Sequence, residues 1–131
     1  MAAAFVGKWK MDKSENAEAF MKATDAPEEI WKKVKEAKPT FEFAVNGNKW
    51  HVKNDMMKLD HEFELGKEVE HTGPDGRKSK NTSTFEGGKL VTESKLENGK
   101  NITLTRWIEG DRMMCTMKCG DCVASHEFVR A

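Results

Sequence analysis

No tyrosine occurs among the 131 residues, and net charge is absent too: 22 basic side chains face 22 acidic ones. A nucleic-acid binder shows a basic excess, and a polybasic membrane anchor or an acidic tail would also tip the balance, so the cancellation speaks against all three. Long apolar runs are missing. No stretch approaches the roughly 18 apolar residues of a membrane-spanning helix. The start, Met1-Ala-Ala-Ala-Phe-Val-Gly-Lys-Trp-Lys, lacks the basic region and apolar run of a secretory signal. The three cysteines are an odd number without the spacing of a stapled secreted domain. A cytoplasmic location is the expectation. Asn81-Thr-Ser and Asn101-Ile-Thr fit the glycosylation pattern but mean nothing without secretion.

What is present argues for a folded chain. Seven Phe, four Trp and eight Met need burial, which excludes disorder, and the length suits one domain over residues 1–131. Turn signals punctuate the last two-thirds: Asn46-Gly47-Asn48, Pro74-Asp75-Gly76, Gly87-Gly88, Asn98-Gly99, Gly110-Asp111 and Gly120-Asp121. Gly, Asn and Asp tolerate the positive φ of tight hairpins, and regular spacing of such signals predicts an antiparallel meander. The intervening segments alternate with period two. Met113, Cys115, Met117 and Cys119 share a face; so do Ile102, Leu104 and Arg106; so do Phe41, Phe43 and Val45; so do Leu59, Phe63 and Leu65. Ten strands follow, one before residue 14 and nine after 38.

Residues 14 to 37 break the alternation. Ser14 reads as an N-cap and Asp25 as a second one, with Pro27 early in its helix and Glu28 and Glu29 at the positive end of the dipole. Ile30, Trp31, Val34 and Ala37 then share one helical face, while Lys32, Lys33, Lys35 and Lys38 occupy the others. A short helical pair set after the first strand of a long meander suits a lid on a barrel. A closed barrel removes sheet edges, and eight or more strands can enclose a ligand cavity.

The stretch from Gly7-Lys-Trp9 to Ala19-Phe20-Met21 resembles the N-terminal signature of the intracellular lipid-binding proteins, the fatty-acid-binding proteins of the cytosol. Lys38-Pro39, Asn46-Gly47, Phe63-Glu-Leu-Gly66, Asp75-Gly-Arg77, Gly88-Lys-Leu-Val91 and Gly120-Asp121 extend the resemblance along the whole chain. It implies an all-β fold: a ten-stranded antiparallel up-and-down β-barrel, a clam, capped by a helix-turn-helix at about 15–37 between strands one and two. Gly7-Lys-Trp9 is also similar to the start of the secreted lipocalins, but those chains are longer and lack the helical pair. The implied function is non-enzymatic intracellular binding and transport of long-chain fatty acids or related hydrophobic ligands, by a monomer needing no cofactor.

The family's fatty-acid binders grip the ligand carboxylate with one arginine on strand eight and an Arg-x-Tyr pair on strand ten. Arg106 matches the first. His126 stands where the second arginine is expected, and Phe128 where the tyrosine is expected. Ala17 and Met57 also depart from the family's usual aromatics. The helical hairpin resembles liver or bile-acid types and the second half resembles muscle types, so no subfamily follows. A carrier for bile acid, retinoid or haem-like ligand is the alternative; an enzyme acting on lipids is a remote one, since no nucleophile–base pair, phosphate loop or metal cluster stands out. Cavity and portal residues implied by the resemblance are Phe20, Met21, Ile30, Val34, Met57, Asp75, Leu104, Cys115 and Met117, and the lysine-bearing lid implies weak, transient membrane contact.

Simple magnitudes say what the departures change. Burying ~15 methylenes at roughly 0.8 kcal/mol each gives on the order of 12 kcal/mol gross, against ~1.5–3 kcal/mol for a charge-assisted hydrogen bond. The tail therefore dominates affinity, and the head-group site sets ligand class. Imidazole is mostly neutral at pH 7 and Phe128 offers no hydroxyl, which predicts a weaker, pH-sensitive carboxylate site or a preference for bulkier or less anionic ligands. Arg106 is either a ligand contact or half of an interior ion pair; His126 is either a ligand contact or a hydrogen-bonded interior histidine. The inward methionines, Met21, Met57, Met113 and Met117, suit either an adaptable lipid surface or ordinary core. Cys119-Gly-Asp-Cys122 spans a turn rather than a redox-type strand–helix junction, and no further pair exists to complete a zinc site. Asp60-His61-Glu62 and His51 read as polar strand residues on opposite or unlinked faces.

Overall fold

The computed structural model describes residues 2–24, 29, 32, 40–54, 59–72 and 78–131. A single 3₁₀ turn, Ala2–Phe5, leads into β1 (Gly7–Glu15) and α1 (Ala17–Ala23). Nine more strands follow: β2 (Thr40–Asn46), β3 (Lys49–Asn54), β4 (Leu59–Glu64), β5 (Glu68–Thr72), β6 (Lys78–Glu86), β7 (Lys89–Leu96), β8 (Asn101–Glu109), β9 (Arg112–Cys119) and β10 (Cys122–Arg130). They form one ten-stranded sheet in the order β4-β3-β2-β1-β10-β9-β8-β7-β6-β5. Every ladder is antiparallel, and β1 closes on β10. The two ends of the sheet, β4 and β5, lie close together but share no ladder among the described residues. The barrel is therefore nearly closed, with one seam.

The expected alternation sets the inward face. Phe43 lies opposite Val52 and Val45 opposite Trp50. Leu104 lies opposite Met117, Arg106 opposite Cys115, and His126 opposite Cys115 on the other side. One end of the interior is filled solid. Phe5, Trp9, Phe43, Trp50 and Leu90 are essentially without exposed surface. The Phe5 ring meets Trp50 edge-on at 5.3 Å and Phe85 at 6.0 Å, separations typical of favourable aromatic pairs.

The N-terminal turn is pinned there. Trp9 Nε1 donates to Phe5 O at 2.8 Å, and the Arg130 guanidinium lies 3.8 Å over the Trp9 ring while donating to Val6 O and Ala4 O. Gly7 sits at φ +122°, and a Cβ there would stand 2.7 Å from Arg130 Nη1. Only glycine suits both the backbone and the clasp.

The helix start differs from the expectation. Ser14 is not a cap; it is an exposed β1 residue opposite His126, and the ladder with β10 runs on to Glu15 opposite Ser125. A bulge between Met11 and Lys13 re-phases the strand so that pairing continues. Asn16 makes the turn instead, at φ 60°, with its Nδ2 donating to Val123 O at 2.8 Å rather than capping the helix. Helix α1 then packs on β9 and β10 with Phe20 buried. Lys100 Nζ donates to Ala23 O at 2.6 Å, a cation at the negative end of the helix. β4 ends one residue early, with Leu65 in the turn but still packed on the core. The expected second lid helix, with Ile30 and Val34, and the expected portal residues Met57 and Asp75 lie outside the described residues.

Candidate functional site

Beyond the aromatic end the inner face changes character. Leu104, Arg106 and Met117 point inward yet stay partly accessible, so the interior is not filled at this level. Arg106 is the cation of this space. Its guanidinium carbon stands 5.5 Å from the Phe43 ring centroid, and among the described residues no carboxylate pairs with it. Burial pulls its pKa below the usual guanidinium value, opposed by its contact with the Cys115 thiol. Burial likewise pushes the Cys115 thiol up, opposed by the nearby guanidinium.

His126 is buried beside this pair, and among the described residues its Nδ1 has no hydrogen-bond partner. Burial, and then Arg106, lower its pKa to about 4. Among the described residues Arg106 has no acidic partner and His126 Nδ1 no hydrogen bond. Phe128 is buried in an edge-on contact with Phe41 at 5.6 Å and lies 6.3 Å from the His126 ring. Of the other expected cavity residues, Leu104, Cys115 and Met117 share the inner face with Arg106. Phe20 and Met21 lie on α1, Phe20 buried and Met21 partly so.

The reading of the Asp60-His61-Glu62 segment needs correction. His51 and Asp60 are not unlinked; His51 Nε2 and Asp60 Oδ1 share a hydrogen bond on the outer face, which holds the Asp60 carboxyl low. His61 points the other way. It lies opposite Val52, alternates with inward Phe63, and its ring stacks on Phe63 at 5.4 Å. Across the seam its ring centroid is 4.3 Å from that of His71, whose strand partner is Ser79. Burial, then His71, Arg106 and His51, lower His61 to about 4; burial also lowers His71. The signal was available: His61 sits between Leu59 and Phe63 at a spacing of two.

A polar wall continues from His71. Ser94 donates to Asn81 Oδ1, Asn81 Nδ2 donates to Ser79 Oγ at 3.1 Å, and the Ser83 and Thr92 hydroxyls bond at 2.9 Å. Asn81 and Ser83 are buried, and their pairing meets the requirement that buried polar groups be satisfied. Strand alternation alone did not reveal this wall, because polar residues fill both of its faces.

An antiparallel ten-strand barrel with a helix after β1 is a narrow description of a fold. Residues 6–120 match the model of the lipocalin / cytosolic fatty-acid binding protein family. The chain belongs to that family. Among curated relatives of this fatty-acid-binding family, the fatty acid-binding protein homolog 5 of Caenorhabditis elegans is 39% identical over 96% of each chain. Among solved structures, apo lipid binding protein 8 of Caenorhabditis elegans superposes with a TM-score of 0.90 at 27% identity, covering 100% of this chain and 98% of that one. The Schistosoma mansoni fatty acid binding protein in complex with arachidonic acid gives 0.89 at 25% identity, covering 98% and 97%. Among the described residues no helix is long and apolar enough to cross a membrane.

Proposed function

We propose that this chain is a carrier, not a catalyst, which binds one long-chain fatty acid inside its barrel, with the carboxylate at Arg106 and His126 and Phe128 as a wall. The observation that carries the reading is the inward guanidinium without an acidic partner among the described residues, next to an orphaned His126 Nδ1. A buried cation and an unmade hydrogen bond both cost stability, and a carboxylate satisfies both at once. The His126 tautomer with its proton on Nδ1 donates to the same anion. Relatives named for fatty acid and a solved relative holding arachidonic acid support this ligand over the bile-acid, retinoid or haem-like alternatives.

The cytoplasm suits such a carrier, and so does a monomer. Entry past the lid, near Ile30, Val34, Met57 and Asp75, with transient membrane contact through the lysines, completes the proposal. Titration calorimetry with stearate and its methyl ester tests the head-group site. Arg106→Leu should weaken stearate roughly ten- to a hundredfold, the worth of a charge-assisted hydrogen bond, and leave the ester nearly unchanged. Equal stearate affinity in variant and wild type would sink the assignment of Arg106.

A further inference from the structure

The head-group locus leaves a second pair of imidazoles unused. His61 and His71 meet at the seam between β4 and β5, ring centroids 4.3 Å apart and planes at 51°. Both rings are half-buried on the inner face, and neither side chain has a hydrogen-bond partner among the described residues. The neighbouring polar groups differ in this respect: Ser79, Asn81 and Ser94 bond to one another, as do Ser83 and Thr92. Two imidazoles facing an accessible interior are thus its free hydrogen-bonding capacity on that side.

Their position is fixed by the register. Arg106 lies over Phe43; Phe43 is opposite Val52, and Val52 is opposite His61. Two strand spacings, roughly 10 Å, therefore separate the two loci. A ligand whose carboxylate meets Arg106 passes His61 part-way along its chain, not at its far end. We propose that His61 and His71 form a second polar subsite, which receives a hydroxyl part-way along the acyl chain of the bound acid. This rests on the fatty-acid reading above and names the ligand class within it: hydroxylated long-chain acids.

Chemistry selects the hydroxyl. A neutral imidazole offers one donor and one acceptor, and a hydroxyl offers both in return. A second carboxylate would need an imidazolium, which burial, the neighbouring ring and Arg106 all oppose. A bare methylene leaves both rings to water.

The test titrates the full chain with stearate and with 10-hydroxystearate. The wild type should bind the hydroxy acid at least as tightly as stearate. His61→Phe and His71→Phe should each weaken the hydroxy acid about tenfold, the worth of one hydrogen bond, and leave stearate within about threefold. A hydroxy acid bound tenfold more weakly than stearate by the wild type overturns the subsite. So do variants that weaken both acids alike. Ring ¹⁵N shifts of the wild type give a second readout independent of substitution: His61 and His71 should move on adding 10-hydroxystearate and not stearate, and equal movement overturns the proposal. Failure of stearate itself to bind the wild type sinks the fatty-acid reading; normal stearate binding without hydroxyl selectivity sinks the subsite alone.

Discussion

At one end of the interior Trp9 and Trp50 have no exposed surface, and Phe5 and Phe85 interlock with them. Across the middle, Arg106, His61 and His71 line the same face and keep theirs. The two regions share strands, so the sheet does not explain the difference. Side-chain volume and polarity do. The aromatic end is filled by buried rings and holds the fold; the polar middle stays partly accessible, and among the described residues Arg106 has no acidic partner and His126 Nδ1 no hydrogen bond. Stability and ligand binding are thus spatially separated, and substitutions in one region should spare the property seated in the other.

The largest expected effect breaks the aromatic end. Trp50→Ala removes a fully buried side chain and should cost about 3–5 kcal/mol in urea denaturation, with stearate affinity per folded molecule little changed. Trp50→Phe sharpens the point. Trp50 Nε1 is buried without a hydrogen-bond partner among the described residues, so deleting that N–H offsets part of the lost volume, and the cost should fall below about 1.5 kcal/mol.

Acid attacks the other region. His126 and His61 titrate near 4 in the folded chain, below the ordinary 6.5 of the unfolded one. At pH 7 both states are neutral and nothing is lost. Below about 6.5 the unfolded chain takes up protons that the folded chain refuses, so stability falls until about pH 4 and then levels. For His126 the loss is up to about 3 kcal/mol. His126→Phe should therefore show a flatter pH dependence between 7 and 4.5 than the wild type; parallel curves would mean that His126 protonates freely in the fold. The smallest effect belongs to the polar wall: Thr92→Val strands the Ser83 hydroxyl and should cost about 1 kcal/mol.

The same contrast governs what could be read from the sequence. Alternation of Met113, Cys115 and Met117, or of Phe41, Phe43 and Val45, announces its buried face, and the strands built on it were legible. Arg106 was legible because it interrupts an apolar face. His61 interrupts one too, between Leu59 and Phe63, but the flanking charges of Asp60 and Glu62 mask it. His71 and the Ser79–Asn81–Ser83 wall were illegible for a deeper reason: where both faces of a strand are polar, a period of two cannot say which face is inside. Ser14 misled because a serine before an alanine-rich run looks like a cap, while the bulge that keeps β1 paired to β10 has no sequence signature.

The closure of β1 on β10 has a consequence for how the chain acquires its shape. Every other ladder joins strands that are neighbours in sequence, whereas Trp9 finds Arg130 across nearly the whole chain. Entropy of loop closure makes such a contact slow, and long-range strand pairing sets the pace of β-rich folding. β1 is thus completed only when β10 pairs with it, and the Arg130 guanidinium reaches the Trp9 ring only at that step.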